Sequence, residues 1–420
     1  MPTARRRKAS KIALVCAGGG VTGAVYEIGC LRALDEILGP RLRELDLYVG
    51  ISGGAFVASL LAAGVSPREM YDEAILPSRG TLGAASADVF RWSGPDLVRR
   101  IGQAPRVLAE ALRTSLTADG RGWSDLAWSL FQLLPAGLLT TEGIREYLER
   151  VFRARLGADR FARLPRELNV VAVDLDSGEA VAFGRRRHRD VPISTAVAAS
   201  TALPGLYRPV RIKGRDYVDG GVRKTAHINL AIQSGAKLVI CINPIVPYLN
   251  DTTKGALAGH LSNRGVTWVL DQVMRIVLHG RMAYGMERYE REHPDVDILL
   301  LQPTRDDVRM FGYNIMRYSA RRVVAEHGYR TALAYFRKNA RRFGRLFAKH
   351  GIEMADPLLI PDVPARHPHQ SDLARSLDSS LERLESRLAN RSSRTRPTGD
   401  GRGGRRPSAG SSSGPLPRSG

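Results

Sequence analysis

Three short glycine-marked runs carry residues able to do acyl chemistry. Gly50-Ile51-Ser52-Gly53-Gly54 fits G-x-S-x-G. Where such a run follows a strand and opens a helix, the flanking glycines let the chain turn sharply and leave the serine hydroxyl exposed as a nucleophile. The plain alternative is an ordinary Gly/Ser turn before a helix. Gly18-Gly19-Gly20-Val21-Thr22-Gly23 satisfies G-x-G-x-x-G. A dinucleotide site of that pattern wants a carboxylate at the end of the following strand, and here that strand ends in Gly50-Ile51-Ser52. The N–H groups of Gly18, Gly19 and Gly20, at a helix N-terminus, have another use: they can hold negative charge developing on a substrate oxygen. Asp219-Gly220-Gly221 directly follows Tyr217-Val218. A carboxylate at a strand end, with two glycines behind it, can approach a serine and act as its base if partly desolvated. A surface turn is the alternative there. Nine histidines leave a Ser-His-Asp arrangement open by count, although none of His227, His260, His279, His293 or His327 sits in a glycine-marked turn.

These runs fall between elements that would bring them together. The apolar stretch 12–17, ended by glycine, predicts a buried parallel strand. Val25, Ile28, Leu31, Leu34, Ile37 and Leu38 have helical spacing, stopped by Gly39-Pro40. A second strand over 45–51 and a second helix over 55–63 follow. Strand, helix, strand, helix predicts a mainly parallel sheet flanked by helices, an α/β fold. Loops after neighbouring parallel strands open at one sheet edge, so the two glycine runs would face each other. Residues 75–140 break the rhythm and predict a helical insertion. The pattern resumes with a helix near 141–152 and strands at 168–173 and 180–183. A small-residue helix at 193–201 and short strands at 210–212 and 216–218 lead into Asp219. Beyond it come a helix at 228–233, strands at 237–242 and 298–301, and a largely helical stretch over 315–349. Leu373, Leu377, Leu381, Leu384 and Leu388 stripe one amphipathic helix, and from 391 onward Ser, Gly, Pro and Arg predict disorder.

With 420 residues and 43% hydrophobic content, the chain has ample material for a core. Its net charge of +21 is uneven. Arg5, Arg6, Arg7, Lys8 and Lys11 stand without an acid in the first arm, and seven arginines against Asp400 fill 391–420. Such tails suit anionic lipid or nucleic acid equally. Cys16, Cys30 and Cys241 form neither a disulfide scaffold nor a thiolate zinc site, which predicts a reducing, cytoplasmic compartment and no metal. Residues 47–67 are uncharged, but Gly50, Gly53, Gly54 and Gly64 there describe a buried strand–turn–helix better than a membrane span.

The glycine run, the later G-x-S-x-G and the distant D-G-G resemble the patatin-like phospholipase family. Ala199-Ser200-Thr201-Ala202-Leu203-Pro204-Gly205-Leu206-Tyr207-Arg208-Pro209 is similar to that family's A-S-x-A-x-P block. Order and spacing agree over roughly 12–245. The resemblance implies a three-layer α/β hydrolase domain, here 12–350, between a basic arm at 1–11 and a linker plus amphipathic helix at 351–390. It implies a Ser52–Asp219 dyad, an oxyanion hole at Gly18, Gly19 and Gly20, and motif support from Gly23, Gly50, Gly53, Gly54, Gly220 and Gly221. It implies hydrolysis of phospholipid or other acyl-lipid esters through an acyl-serine intermediate, with no cofactor. The chain departs from the family at Thr22, where members commonly carry Arg or Lys. It departs again after Asp219-Gly220-Gly221, where Val222-Arg223-Lys224-Thr225-Ala226-His227 replaces an asparagine–proline turn.

Such an enzyme must reach aggregated substrate. Trp123, Trp128, Phe131 and the leucines within 121–139, together with the basic tails, are expected to make peripheral membrane contact, and 266–278 with Trp268 is a second candidate. Each also reads as a core-facing amphipathic helix. The helix at 372–390 is a candidate for self-association. The competing functions are a catalytically silent lipid-binding scaffold, a neutral lipid esterase, a His-dependent α/β-hydrolase and, resting on the tails alone, a nucleic-acid binder, which is the least favoured.

Overall fold

Ile12–Cys16 is five consecutive apolar residues, too short for a stable helix and bounded by glycine. It forms β1, fully covered on both faces. The computed structural model describes residues 10–75, 89–94, 105, 109, 136–185, 188–254, 258–313 and 315–361. Along them β1 is followed by α1 (Gly20–Leu38), β2 (Leu47–Ile51), α2 (Gly53–Ala62) and α3 (Pro67–Ile75). Next come β3 (Arg91–Trp92), β4 (Gly137–Thr140), α4 (Glu142–Leu156), β5 (Glu167–Asp174), β6 (Ala180–Phe183) and α5 (Ile193–Ser200). Then follow β7 (Gly205–Tyr207), β8 (Val210–Ile212), β9 (Arg215–Asp219), α6 (Ile228–Gln233) and β10 (Leu238–Ile242). Last are α7 (Val266–Glu292), β11 (Asp297–Leu301), α8 (Val308–Gly312), α9 (Arg321–Lys338) and α10 (Ala340–Lys349).

The main sheet has the order β11-β10-β1-β2-β5-β9-β8, with β6 also on β5. From β11 to β5 every neighbouring pair is parallel, as the crossover helices require. Ala13, Val15, Val49, Ile51, Val171 and Val239 pack one face against α6 and α7, while α2 and α5 lie on the sheet and α1 packs on α2. The result is the expected three-layer α/β sandwich.

The far edge differs from a purely parallel sheet. β6, β8 and β9 run antiparallel to their neighbours. Between β8 and β9 the chain has two residues, Lys213 and Gly214, both at positive φ (49° and 80°). Two residues cannot make a crossover, and positive φ at both positions matches the twist of a tight hairpin.

The stretch expected as a helical insertion is not all helix. Its described ends, Arg91–Trp92 and Gly137–Thr140, pair with each other and with Gly205–Tyr207 in a separate three-stranded sheet. Gly137 abuts the Tyr207 backbone so closely that a Cβ would lie 2.2 Å from the Tyr207 carbonyl carbon, so the pairing dictates glycine there. The rest of the insertion, including 121–135, lies outside the described residues. The chain divides into a unit spanning Met1–Pro361 and another spanning Asp362–Gly420. The second unit, with the amphipathic helix expected at 372–390 and the basic tail, also lies outside the described residues. Within the first, residues 351–361 are tied down: the Ala355 N–H donates to Ile37, and Arg337 donates to the Pro357 carbonyl. No helix among the described residues is long and apolar enough to cross a membrane.

Candidate active site

Sheet register brings the three motifs together. Ile51 pairs with Val171 on β5, and Asp219 pairs with the next residue, Ala172. Ser52, directly after β2, and Asp219, at the end of β9, therefore meet across the shared neighbour β5. On the other side of β2, Cys16 pairs with Gly50, so the glycine run after β1 arrives beside Ser52. A Cβ on Gly18 would stand 3.1 Å from the Ser52 Cβ.

Ser52 sits between β2 and α2 at φ 54°, ψ −129°. It is one of two non-glycine residues at positive φ among those described. Such a conformation costs about 1–3 kcal/mol and persists where the surroundings fix it. The surroundings here are tight. A Cβ on Gly50 would lie 2.5 Å from the Ala55 Cα, and one on Gly54 would lie 2.3 Å from the Cys16 carbonyl oxygen. The two outer glycines of G-x-S-x-G thus let α2 press against β1 and β2 and force the turn that lifts Ser52. Gly54→Ala is expected to cost about 3 kcal/mol, because its contact is with backbone that cannot swing away. A urea midpoint equal to that of the unaltered chain would contradict this packing.

The Ser52 side chain and the Asp219 carboxylate line the same wall of the site, close enough for the serine to favour the carboxylate's anion. Both residues are buried, Ser52 at 7% and Asp219 at 3% exposure. Burial pushes the Asp219 carboxyl up to about 6, against the Ser52 hydroxyl and the Gly221 N–H, which both favour its anion. The Gly221 N–H donates to Asp219 Oδ1 at 2.8 Å. Gly220 lies against β5, where a Cβ would come 2.3 Å from the Val171 carbonyl oxygen. His227, in the following loop, has its Nε2 3.4 Å from the Gly220 carbonyl oxygen, and burial pushes its imidazole down to about 4.

The glycine run forms the adjoining wall. The Gly18 N–H donates to the Thr225 carbonyl at 3.5 Å. The N–H groups of Gly19 and Gly20, where α1 begins, have no acceptor among the described residues. Gly23 packs on Pro244 and turns away from the site.

Gly18, Gly19, Gly20, Ser52, Gly53, Asp219 and Gly221 all line one cavity of about 500 Å³. Gly23, Gly50, Gly54 and Gly220 lie behind it as packing. Most of the remaining lining is apolar, with Ile28, Phe56, Leu60, Ile144, Met274 and Val277 prominent. Among the described residues no histidine lines this cavity, and no group of His, Cys, Asp and Glu is placed to hold a metal.

Two contributors to the site had no assigned role in the sequence. Ser200 Oγ accepts the Ser52 N–H at 2.9 Å and donates to the Val171 carbonyl at 2.6 Å. The Asp219 N–H donates to the Ala202 carbonyl. The Ala199–Pro209 block therefore clamps the backbone of both Ser52 and Asp219. Its letters mark a family-like block but not which atoms it would tie. The other contributor is α7, whose Asp271 and Arg275 form an ion pair at 2.8 Å in the cavity wall.

α7 also carries an exposed apolar stripe. Val266, Leu270, Val273, Met274, Ile276 and Val277 are each between 45% and 69% exposed. Arg264 stacks over the Trp268 ring beside it, 5.2 Å from the centroid. The second membrane-contact candidate therefore faces outward, and two residues of its stripe, Met274 and Val277, also line the cavity. Of the first candidate, 121–139, the described part contributes exposed Leu138 and buried Leu139.

The chain has distant relatives among known proteins. The chain is 21% identical over 226 residues to the probable lipid hydrolase 463L of Invertebrate iridescent virus 6, covering 52% of this chain and 63% of that protein. It is 27% identical over 227 residues to an uncharacterized NTE family protein of Mycobacterium bovis, covering 53% of this chain and 46% of that one. The chain thus spans between about half and two-thirds of the length of these relatives. Among solved structures, VipD from Legionella pneumophila aligns at 17% identity and a TM-score of 0.34, over 78% of this chain and 66% of that one. Human GIVD cytosolic phospholipase A2 aligns at 10% identity and a TM-score of 0.31, over 81% and 59%. The sequence model of the patatin-like phospholipases matches residues 14–232, just over half of the 420, with Ser52 and Asp219 inside the match. The chain belongs to the patatin-like phospholipase family.

Proposed function

We propose that the chain is a serine acyl hydrolase acting on lipid esters through a Ser52–Asp219 dyad. The observation that carries this reading is a serine held at positive φ beside a buried carboxylate in the wall of an apolar cavity. In the proposed reaction Ser52 Oγ attacks the ester carbonyl carbon while its proton passes to Asp219. The carbonyl oxygen, now an anion, is held by the free Gly19 and Gly20 N–H groups at the positive end of α1. When the carbon–oxygen bond to the alcohol breaks, the departing alkoxide takes the proton from Asp219, leaving an acyl-Ser52. Water then attacks the acyl carbon, Asp219 accepts its proton and returns it to Ser52, and the fatty acid leaves. The apolar lining from Ile28 to Val277 suits the acyl chain. Release of fatty acid from phospholipid vesicles and from an uncharged acylglycerol tests the reaction. Silence on both substrates would favour the scaffold reading.

The exposed stripe of α7 is the proposed contact with the lipid surface. Apolar side chains next to arginine and tryptophan, on a helix that also walls the cavity, support an entrance that opens at the lipid surface. Burying a Leu and a Val is worth about 1.5–3 kcal/mol each. Leu270→Glu with Val273→Glu is therefore expected to lower partitioning onto phosphatidylglycerol-containing vesicles more than tenfold, with vesicle hydrolysis falling in step. Sedimentation with vesicles measures this, and unchanged partitioning would assign the stripe to another occupant.

A further inference from the structure

A second cavity lies behind the site wall. It is also about 500 Å³ and is lined by Arg223, Lys224, Arg281, Arg288, Asn229 and Tyr289, among others. Thr225 and Arg281 line both cavities, so the two adjoin there. That same Thr225 carbonyl accepts the N–H of Gly18. The four cations come from two elements, the loop after Asp219-Gly220-Gly221 and the outer turns of α7. The loop is where this chain departs from the family's asparagine–proline turn.

The charges around this cavity do not balance. Arg223 pairs with Glu179 at 3.4 Å, and Arg288 pairs with Glu292 at 2.9 Å. Lys224 reaches only the neutral Asn229 Oδ1, at 3.3 Å, and Arg281 only the Val222 carbonyl, at 2.6 Å. Two positive charges are left without a carboxylate among the described residues. The crowding has an electrostatic consequence at Lys224. Burial, and then Arg288 and Arg223, hold its ammonium below the usual lysine range. An anion entering here would relieve that repulsion and meet guanidinium forks suited to phosphate oxygens.

The geometry points to this cavity as the subsite for a dianionic phosphomonoester headgroup on the lipid whose acyl ester lies at Ser52. This rests on the acyl-hydrolase reading for the placement of the ester. Two uncompensated charges match a phosphomonoester better than the single charge of a phosphodiester or the zwitterion of a choline lipid. The shared Thr225 and Arg281 make the two cavities adjoin, so a glycerolipid with its ester in the first would carry its phosphate toward the second.

The test uses the full chain carrying Ser52→Ala, so that binding is read without turnover, and monomeric dioctanoyl lipids in a calorimeter. Dioctanoyl phosphatidic acid is expected to bind at least tenfold more tightly than dioctanoylglycerol and dioctanoyl phosphatidylcholine. Lys224→Gln with Arg281→Gln, two exposed positions that hold the uncompensated charges, is expected to bring that preference within twofold. The preference should also fall as salt is added to the protein bearing only Ser52→Ala, which needs no further substitution. Equal binding of the three lipids, or a preference that survives the double change, would overturn the subsite. Glycerol 3-phosphate binding as tightly as the lipid would assign the cavity to a free phosphorylated metabolite and overturn it as well. Failure of the hydrolase reading would show separately, as absence of ester turnover by the unaltered chain.

Discussion

Ser52→Ala is expected to abolish both ester turnover and covalent labelling by a fluorophosphonate probe. Removing a nucleophilic hydroxyl costs on the order of 10⁴-fold or more, because no neighbouring group inherits its role. Among the described residues, Ser52 is the one side chain that acts on the Asp219 carboxylate. The fold should survive, since the Ser52 backbone, with its N–H on Ser200 Oγ, is unchanged by the substitution. A companion change separates chemistry from strain. Ser52→Gly also removes the hydroxyl, but glycine accepts φ 54° without penalty. It should melt higher than Ser52→Ala, by about 1 kcal/mol, while being equally inactive. Stability rising as activity vanishes is the behaviour of a residue held in a costly conformation for function. A labelled peptide that does not contain Ser52, or turnover that persists in both variants, would sink the assignment.

Why the site was legible before the fold was known is itself physical. G-x-S-x-G, the glycine run and D-G-G are local demands of the backbone: Gly50 and Gly54 are required by contacts with Ala55 and Cys16, and Gly220 by contact with Val171. Close approaches of this kind leave a mark in the letters. The parallel strands were legible for a similar reason, because a run such as Leu238–Ile242, covered on both faces, admits only apolar residues. What escaped lies in pairing rather than in pattern. The antiparallel edge hinges on Lys213-Gly214, where lysine at positive φ sends no compositional signal. The strands at Arg91–Trp92 and Gly137–Thr140 are too short to show alternation and exist only because they find each other and Gly205–Tyr207. The outward-facing stripe of α7 was ambiguous for a different reason. An apolar helix face reads the same whether it covers a core or looks outward, and only the sheet behind it decides. The basic cavity was invisible because Lys224 and Arg288 are far apart in sequence.

Asp219→Asn is expected to lower kcat/KM by about 10²–10⁴-fold, the usual contribution of a positioned general base, while making the protein more stable at neutral pH. The base must be ionised to take the serine proton. In the unaltered chain kcat/KM should therefore rise tenfold per pH unit up to about 6, where burial places the Asp219 carboxyl, and level off above it. The Asn variant should lose that inflection. The stability effect has a definite sign. The native carboxyl holds its proton more tightly than the unfolded one, whose ordinary value is 3.8. Between 3.8 and about 6 the native state binds more protons, so stability falls as pH rises through this window. Above it the buried anion costs up to about 3 kcal/mol. Asparagine carries no charge to desolvate, and its carbonyl oxygen can still accept the Gly221 N–H. The variant should then unfold at a higher urea concentration than the unaltered chain at pH 8, and the gap should close below pH 4. An Asp219 that merely capped a surface turn would behave oppositely: its replacement would weaken the fold at neutral pH and leave the pH–rate profile where it was. The two measurements together therefore decide whether this carboxylate is kept in a costly place because the chemistry at Ser52 needs it there.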